Sequence, residues 1–212
     1  LVAHYDFEQT ATLENQAPPL YLDHSDLHDG TITGTSQATG IVGKAMDFSS
    51  DNIKLDNFGA IAINGDHSWS FSAWVKPDVV NANQAIISND SGGVSAGINL
   101  YLHSSNQLRL AGGSNTQLTG SSMTAGEWHH VTITRNSDGT TTTYLNGVQD
   151  AQATWSTISG QTNAWLGAQN GSGDYWNGLI DEVYFFKDKS LTQAEVTSIY
   201  NAGLAGKQLS NN

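Results

Sequence analysis

The feature that most constrains this chain is a period-two alternation of apolar and polar side chains that recurs along its length. Alternation of that kind sends successive side chains to opposite sides of an extended backbone, so one side can be buried while the other stays polar. His4-Tyr5-Asp6-Phe7-Glu8 opens the series, and Phe71-Ser72-Ala73-Trp74-Val75-Lys76 continues it until Pro77. Two alternating runs, 98–103 and 107–110, surround Ser104-Ser105-Asn106 in the pattern of a hairpin. Runs 131–134 and 144–145 flank Asn136-Ser137-Asp138-Gly139, whose Asp-Gly pair favours a tight turn, and Asn146-Gly147 marks the next one. Further strands are expected near 164–168 and 179–186. Turn signals this closely spaced predict an all-β fold of two stacked antiparallel sheets. No repeat or boundary interrupts residues 1–205, which are expected to form one module, with 206–212 a linker or tail.

One helix is expected, near the C-terminal end. Thr192-Gln193-Ala194-Glu195 has the form of a capping box, with Leu191 and Val196 placed as a hydrophobic staple. Val196, Ile199 and Tyr200 share a face, and Gly203 is expected to stop the helix in the left-handed conformation. A helix of about three turns needs a larger surface to pack on, here the sandwich.

Charge and composition narrow the function. The chain carries 8 Lys and Arg against 20 Asp and Glu, a net charge of −12, which opposes binding to nucleic acid and anionic lipid. It has no Cys, so thiolate metal sites and thiol redox chemistry are excluded. No segment reaches the roughly 20 apolar residues that a membrane span requires, and no membrane insertion is expected. The first residue is Leu1, not Met, so the chain reads as a module of a longer or processed precursor that holds other domains.

Four segments, FSAWVKP at 71–77, EWHHVTITRNSDGTTTTYLNG at 127–147, AWLGAQ at 164–169 and WNGLIDEVYFFKDKSLTQAEVTSIYNAG at 176–203, resemble the laminin-G-like jelly roll of the concanavalin A-like lectin and glucanase superfamily. The opening YDFE and the loop DHSDLHDGTITG at 23–34 resemble the family's first strand and its Asp/Gly loop. The resemblance implies a jelly-roll sandwich with one short C-terminal helix. Its members include glycan-binding modules, adhesin domains and accessory domains of polysaccharide-degrading enzymes, which implies a secreted or cell-surface location, in a bacterium. It also implies packing roles for Trp74 and Trp128, while Trp69 stays open and Trp176 more often packs than binds.

Catalysis is not expected. Glycoside hydrolysis normally needs two carboxyls flanking a cleft, and the glucanase branch of the family carries three acids alternating along one strand. No such triplet occurs: Asp6 and Glu8 lack a third, and the adjacent Asp181 and Glu182 are expected on opposite faces. The Arg-rich and Gln-x-His strands of the family's alginate lyases are absent too, and the seven His residues are scattered, one of His129 and His130 facing the core.

Two ligand sites are expected. Asp23, Asp26 and Asp29, interleaved with His24, His28 and Gly30, suit the flexible oxygen coordination of Ca²⁺, although short Asp side chains also cap turns. The resemblance adds Asp181, since the family often holds a structural Ca²⁺ where the N-terminal loop meets the last strand. Zn²⁺ at His24 and His28 has weaker support. For a sugar, inward Leu100 and Leu102 turn Asn99, Tyr101 and His103 outward, and the same step exposes Arg109 and, beside Leu166, Trp165. Aromatic faces with a few polar groups suit carbohydrate, and Arg109 hints at an acidic sugar. Trp155, Tyr175 and Trp176 are candidate rim aromatics. The function expected is therefore a Ca²⁺-stabilised, non-catalytic carbohydrate-binding module of an exported adhesin or polysaccharide-degrading enzyme. The alternatives are a protein-interaction domain without a sugar site or, with less support, a glycoside hydrolase or polysaccharide lyase.

Overall fold

The computed structural model describes residues 1, 3–8, 30–90, 97–112, 116–155 and 157–209. Fifteen strands follow in chain order: β1 (Ala3–Tyr5), β2 (Gly30–Thr33), β3 (Ser36–Thr39), β4 (Lys44–Ser49), β5 (Asn52–Leu55), β6 (Trp69–Pro77), β7 (Gln84–Ser88), β8 (Ile98–Leu102), β9 (Gln107–Gly112), β10 (Thr116–Ser122), β11 (His129–Arg135), β12 (Thr140–Leu145), β13 (Val148–Thr154), β14 (Ala164–Leu166) and β15 (Asn177–Lys187). They form two antiparallel sheets, and α1 (Gln193–Leu204) closes the chain's described part. The eight-stranded sheet runs β13-β12-β11-β6-β15-β4-β3, with β1 beside β15; the seven-stranded sheet runs β10-β9-β8-β7-β14-β5-β2. This is the expected jelly-roll sandwich.

Alternation explains what lies between the sheets. Phe71, Ala73 and Val75 from β6, Val131 and Ile133 from β11, and Phe185 from β15 face Leu100, Leu102, Leu108, Leu110 and Leu166 of the other sheet in one core. The two expected hairpins are present: Asn106 holds a positive φ between β8 and β9, and Asn146 and Gly147, at 52° and 78°, make the turn from β12 to β13. On the edge, Asp150 of β13 accepts the Ser121 amide at 2.9 Å and ties the first sheet to β10 of the second.

Several positions depart from the sequence reading. Trp155, a proposed rim aromatic, is buried between the sheets, where Gly112 leaves room for its ring. Trp128 is half-buried, not core, because it precedes β11 in a turn on which no strand alternation is imposed. Trp69, open in the sequence, is core, and Trp176 packs in the core as the resemblance implied. In the first run β1 ends at Tyr5, yet Phe7, at a φ of 57°, still joins Tyr5 in the core while Asp6 and Glu8 do not.

Asp181 and Glu182 do not alternate either. The register of β15 on β6 moves from Asp181 opposite Trp74 to Tyr184 opposite Ser72, so Glu182 and Val183 together oppose Ala73 in a bulge. Glu182 takes a φ of 47° and joins the side of Tyr184, whose hydroxyl donates to it, while Val183 keeps the core.

Helix α1 begins as expected. The Thr192 hydroxyl accepts the Glu195 amide at 3.3 Å, and the Glu195 carboxylate accepts the Thr192 amide at 2.7 Å. Leu191, Val196 and Ile199 cluster with Tyr144, Tyr184 and Phe186, the outward residues of the eight-stranded sheet. Gly203 is not the stop: it is still helical, and Gly206 takes the positive φ. Its role is close approach, since a Cβ there would lie 2.2 Å from Trp74 Nε1. Past the helix, Gln208 donates to Asp6 at 3.1 Å and the Leu209 amide to the Tyr184 hydroxyl at 2.9 Å, so the chain up to 209 stays packed on the sandwich.

Candidate functional site

The site is assembled on the outer face of the seven-stranded sheet. Strand pairing places Gln117, Ala111, Asn99, Ser88, Trp165, Lys54 and Thr31 in one row across all seven strands. Beside it, Thr119, Arg109, Tyr101 and Ala85 make a second row. Four of the residues expected to bind sugar, Asn99, Tyr101, Arg109 and Trp165, therefore share one surface. At about 5 Å per strand, Trp165 and Tyr101 are separated by roughly 10 Å across the sheet, and Arg109 is one strand beyond. That is the scale of a short glycan chain.

His103 lies just past the end of β8. Its ring meets Tyr101 edge-on at 6.2 Å, while its Nδ1 is 2.7 Å from the Ser105 hydroxyl and supports the hairpin turn.

The surface is not a bare sheet. After β14 the chain loops back, with Ala85 donating to Asp174 O at 2.6 Å and Asn52 Nδ2 to Gly171 O at 3.2 Å. Gly171 lies against the Trp165 indole so closely that a Cβ would come within 2.5 Å of Nε1, and Trp165 is left half-buried. Tyr101 is 7% exposed and Asn99 4%. Residues 167–175 thus wall one side of this face, and the recess beside them carries half-buried Trp165, Arg109 and Ala111 and exposed Gln117.

Polar groups are linked across it. Gln117 Nε2 donates to the Tyr101 hydroxyl, and Arg109 Nη1 donates to Gln117 Oε1 at 3.3 Å. Burial pushes the Tyr101 phenol up, so it remains a neutral hydroxyl. Two buried atoms, Asn99 Oδ1 and Arg109 Nε, have no hydrogen-bond partner. An unpartnered buried polar atom is costly, and ligand or water can relieve it. Sequence alternation reveals the direction of these side chains but carries no signal for which of their atoms are left unpaired.

Two carboxyls border the recess. Asp90 accepts Gln169 Nε2 at 3.0 Å, and burial raises the Asp174 carboxyl above the usual range. Neither stood out in the sequence, because the loop that delivers Asp174 has no periodicity. Tyr175, the remaining rim candidate, lines a cleft of about 270 Å³ with Ser49, Ser50, Val79 and Ala82.

For the expected cation site, Asp23, Asp26 and Asp29 lie outside the described residues, as do His24 and His28. Asp181 is fully buried, and both its oxygens are taken: Oδ2 accepts the Ile41 and Val42 amides at 2.9 and 3.1 Å, and Oδ1 accepts Glu182 N at 2.7 Å. Burial pushes its carboxyl up to about 8, against the three amide bonds that favour the charged form. A group so clasped, with Gly40 packed on Oδ2, does not fit a calcium ligand. Among the described residues no three His, Cys, Asp or Glu side chains converge as a metal site. The paired acids Asp6 and Glu8 are also engaged in structure, Asp6 accepting the Glu8 amide at 3.2 Å and Glu8 the Lys44 amide at 2.6 Å.

Residues 47–197 match a laminin-G family of the concanavalin A-like lectin/glucanases superfamily, and the chain belongs to that family. No curated protein sequence matches it. Among solved structures it is similar to domain 4 of AbnA, a GH43 extracellular arabinanase from Geobacillus stearothermophilus, in complex with arabinotriose. The identity is 23% and the TM-score 0.68, over 94% of this chain and 98% of that one. Botulinum neurotoxin type C, which depends on interaction with two ganglioside molecules to enter cells, matches at 16% identity and TM-score 0.67, over 95% of this chain and 51% of that one. Trypanosoma rangeli sialidase in complex with the inhibitor DANA matches at 13% and 0.71, over 98% of this chain but 34% of that one. The chain thus spans about half of the toxin chain and a third of the sialidase, and at these identities the likeness is one of fold. No described helix is long and apolar enough to cross a membrane.

Proposed function

We propose that this is a non-catalytic carbohydrate-binding module of an exported protein, and that glycan binds on the outer face of the seven-stranded sheet. The observation that carries the reading is the recess itself: a half-buried Trp165 and a buried Tyr101 on one face, with the unpartnered Asn99 Oδ1 between them. Stacking of a sugar's C–H face on the indole and hydrogen bonds from its hydroxyls suit that combination. The similar arabinanase domain holds arabinotriose, which supports the class of ligand. Titration against a glycan array, followed by tryptophan fluorescence, tests it. Trp165→Ala is expected to lower affinity at least tenfold, and unchanged binding in that variant would sink the site.

Asp174, whose carboxyl burial raises above the usual range, is the residue to substitute in a test for hydrolysis. Product release by the wild-type protein that disappears in Asp174→Asn would replace the binding reading with an enzymatic one. A role for Ca²⁺ rests on Asp23, Asp26 and Asp29 alone, and melting with and without EDTA tests it. A bound ion requires the melting temperature to fall on chelation.

A further inference from the structure

Resting on the glycan reading, we propose that Arg109 makes the recess a receptor for an anionic sugar, one carrying a uronate carboxylate or a sulfate ester. The guanidinium has no carboxylate partner among the described residues. The ion pairs there join His4 to Glu182, Lys54 to Asp56, Arg135 to Asp66 and Lys189 to Glu195. Among the described residues its hydrogen-bond partners are neutral: Gln117 Oε1 at 3.3 Å, Gln107 Oε1 at 3.4 Å and the Tyr101 hydroxyl. Both amide contacts are at the long, weak end of the range, and Nε, itself buried, has no hydrogen-bond partner among the described residues. A fork of donors held in a half-buried position and matched only by weak neutral acceptors is short of negative charge. A carboxylate or sulfate supplies it through two parallel N–H···O bonds, which hydroxyls cannot do.

The surroundings allow it. Asp174 acts on Tyr101 from the wall and burial raises its carboxyl, but among the described residues it forms no ion pair with Arg109. The overall charge of −12 opposes anions at long range, but salt screens that field beyond about 8 Å at physiological ionic strength, so contact decides at the recess. Asn99, one strand away, and Trp165, three strands or about 15 Å away, then take the neighbouring sugars.

Calorimetry with matched polymers tests the proposal: polygalacturonate against its methyl ester for the carboxylate, and carrageenan against agarose for the sulfate. The wild-type protein is expected to bind the charged member of one pair at least tenfold more tightly. Arg109→Gln is expected to erase that preference, and Arg109→Lys to retain part of it. The pair that shows the preference identifies the anion. Equal affinity within both pairs, or a preference that survives Arg109→Gln, overturns the proposal and leaves the glycan reading intact. Failure to bind either charged polymer also overturns the proposal, while the glycan array decides the reading it rests on.

Discussion

The two outer faces of the sandwich start from the same alternation and end differently. On the eight-stranded sheet the outward residues Ser70, Ser72, Trp74, His130 and Thr132 are fully or almost fully buried, because α1 lies over them and Trp74 stacks on Tyr200 at 5.4 Å. On the seven-stranded sheet the outward residues lie beside a loop that covers only part of them, and Arg109, Trp165 and Gln117 still reach solvent. The first face spends its aromatics on stability. The second keeps the Trp165 indole and the Arg109 side chain in partial contact with water, with unpaired atoms of Asn99 and Arg109 buried beside them, an arrangement that suits recognition. An outward aromatic is therefore informative only once its cover is known.

The comparison is broken most directly at Trp74. Truncation to Ala removes a buried indole from beneath α1 and is expected to cost about 3–5 kcal/mol in chemical denaturation. A loss below about 1 kcal/mol would mean the helix is not a structural cover. A smaller effect comes from His130, which burial holds down to about 3, with Ser72 Oγ 2.7 Å from its Nε2. Its folded value lies below the ordinary 6.5, so the unfolded chain takes up a proton that the folded one refuses. The stability tied to neutral His130 is complete above about pH 6.5 and drains away as pH falls towards 3. Relative to His130→Gln, the wild-type protein is expected to lose on the order of 1 kcal/mol per pH unit between pH 6 and 4; parallel pH profiles would refute this. Least disturbing is Tyr101→Phe on the open face. It removes a hydroxyl bonded to Gln117 but leaves the ring in place, and is expected to change stability by less than about 1 kcal/mol. Glycan affinity is expected to fall more than stability does, which a melt beside a binding titration would show.

Much of the fold was legible because its signals are local. The strand around Trp74, the turn at Asn146-Gly147 and the capping box at Thr192 each depend on residues within a few positions of one another. The same holds for the direction of Asn99, Tyr101, Arg109 and Trp165, which period two alone decides. Glu182 escaped because a bulge suspends that period, and Trp155 because it follows the last paired residue of β13. Gly203 carried the residue type of a helix stop, yet its neighbour across the fold made it a point of contact.

The sequence by itself determined which side chains leave each sheet together, since backbone geometry enforces alternation wherever a strand forms. Only the tertiary structure decided which of those side chains would be covered. Docking of α1 on one sheet and the return of residues 167–175 over the other join segments distant in the chain, and burial, unpaired atoms and shifted carboxyls arise only from those meetings.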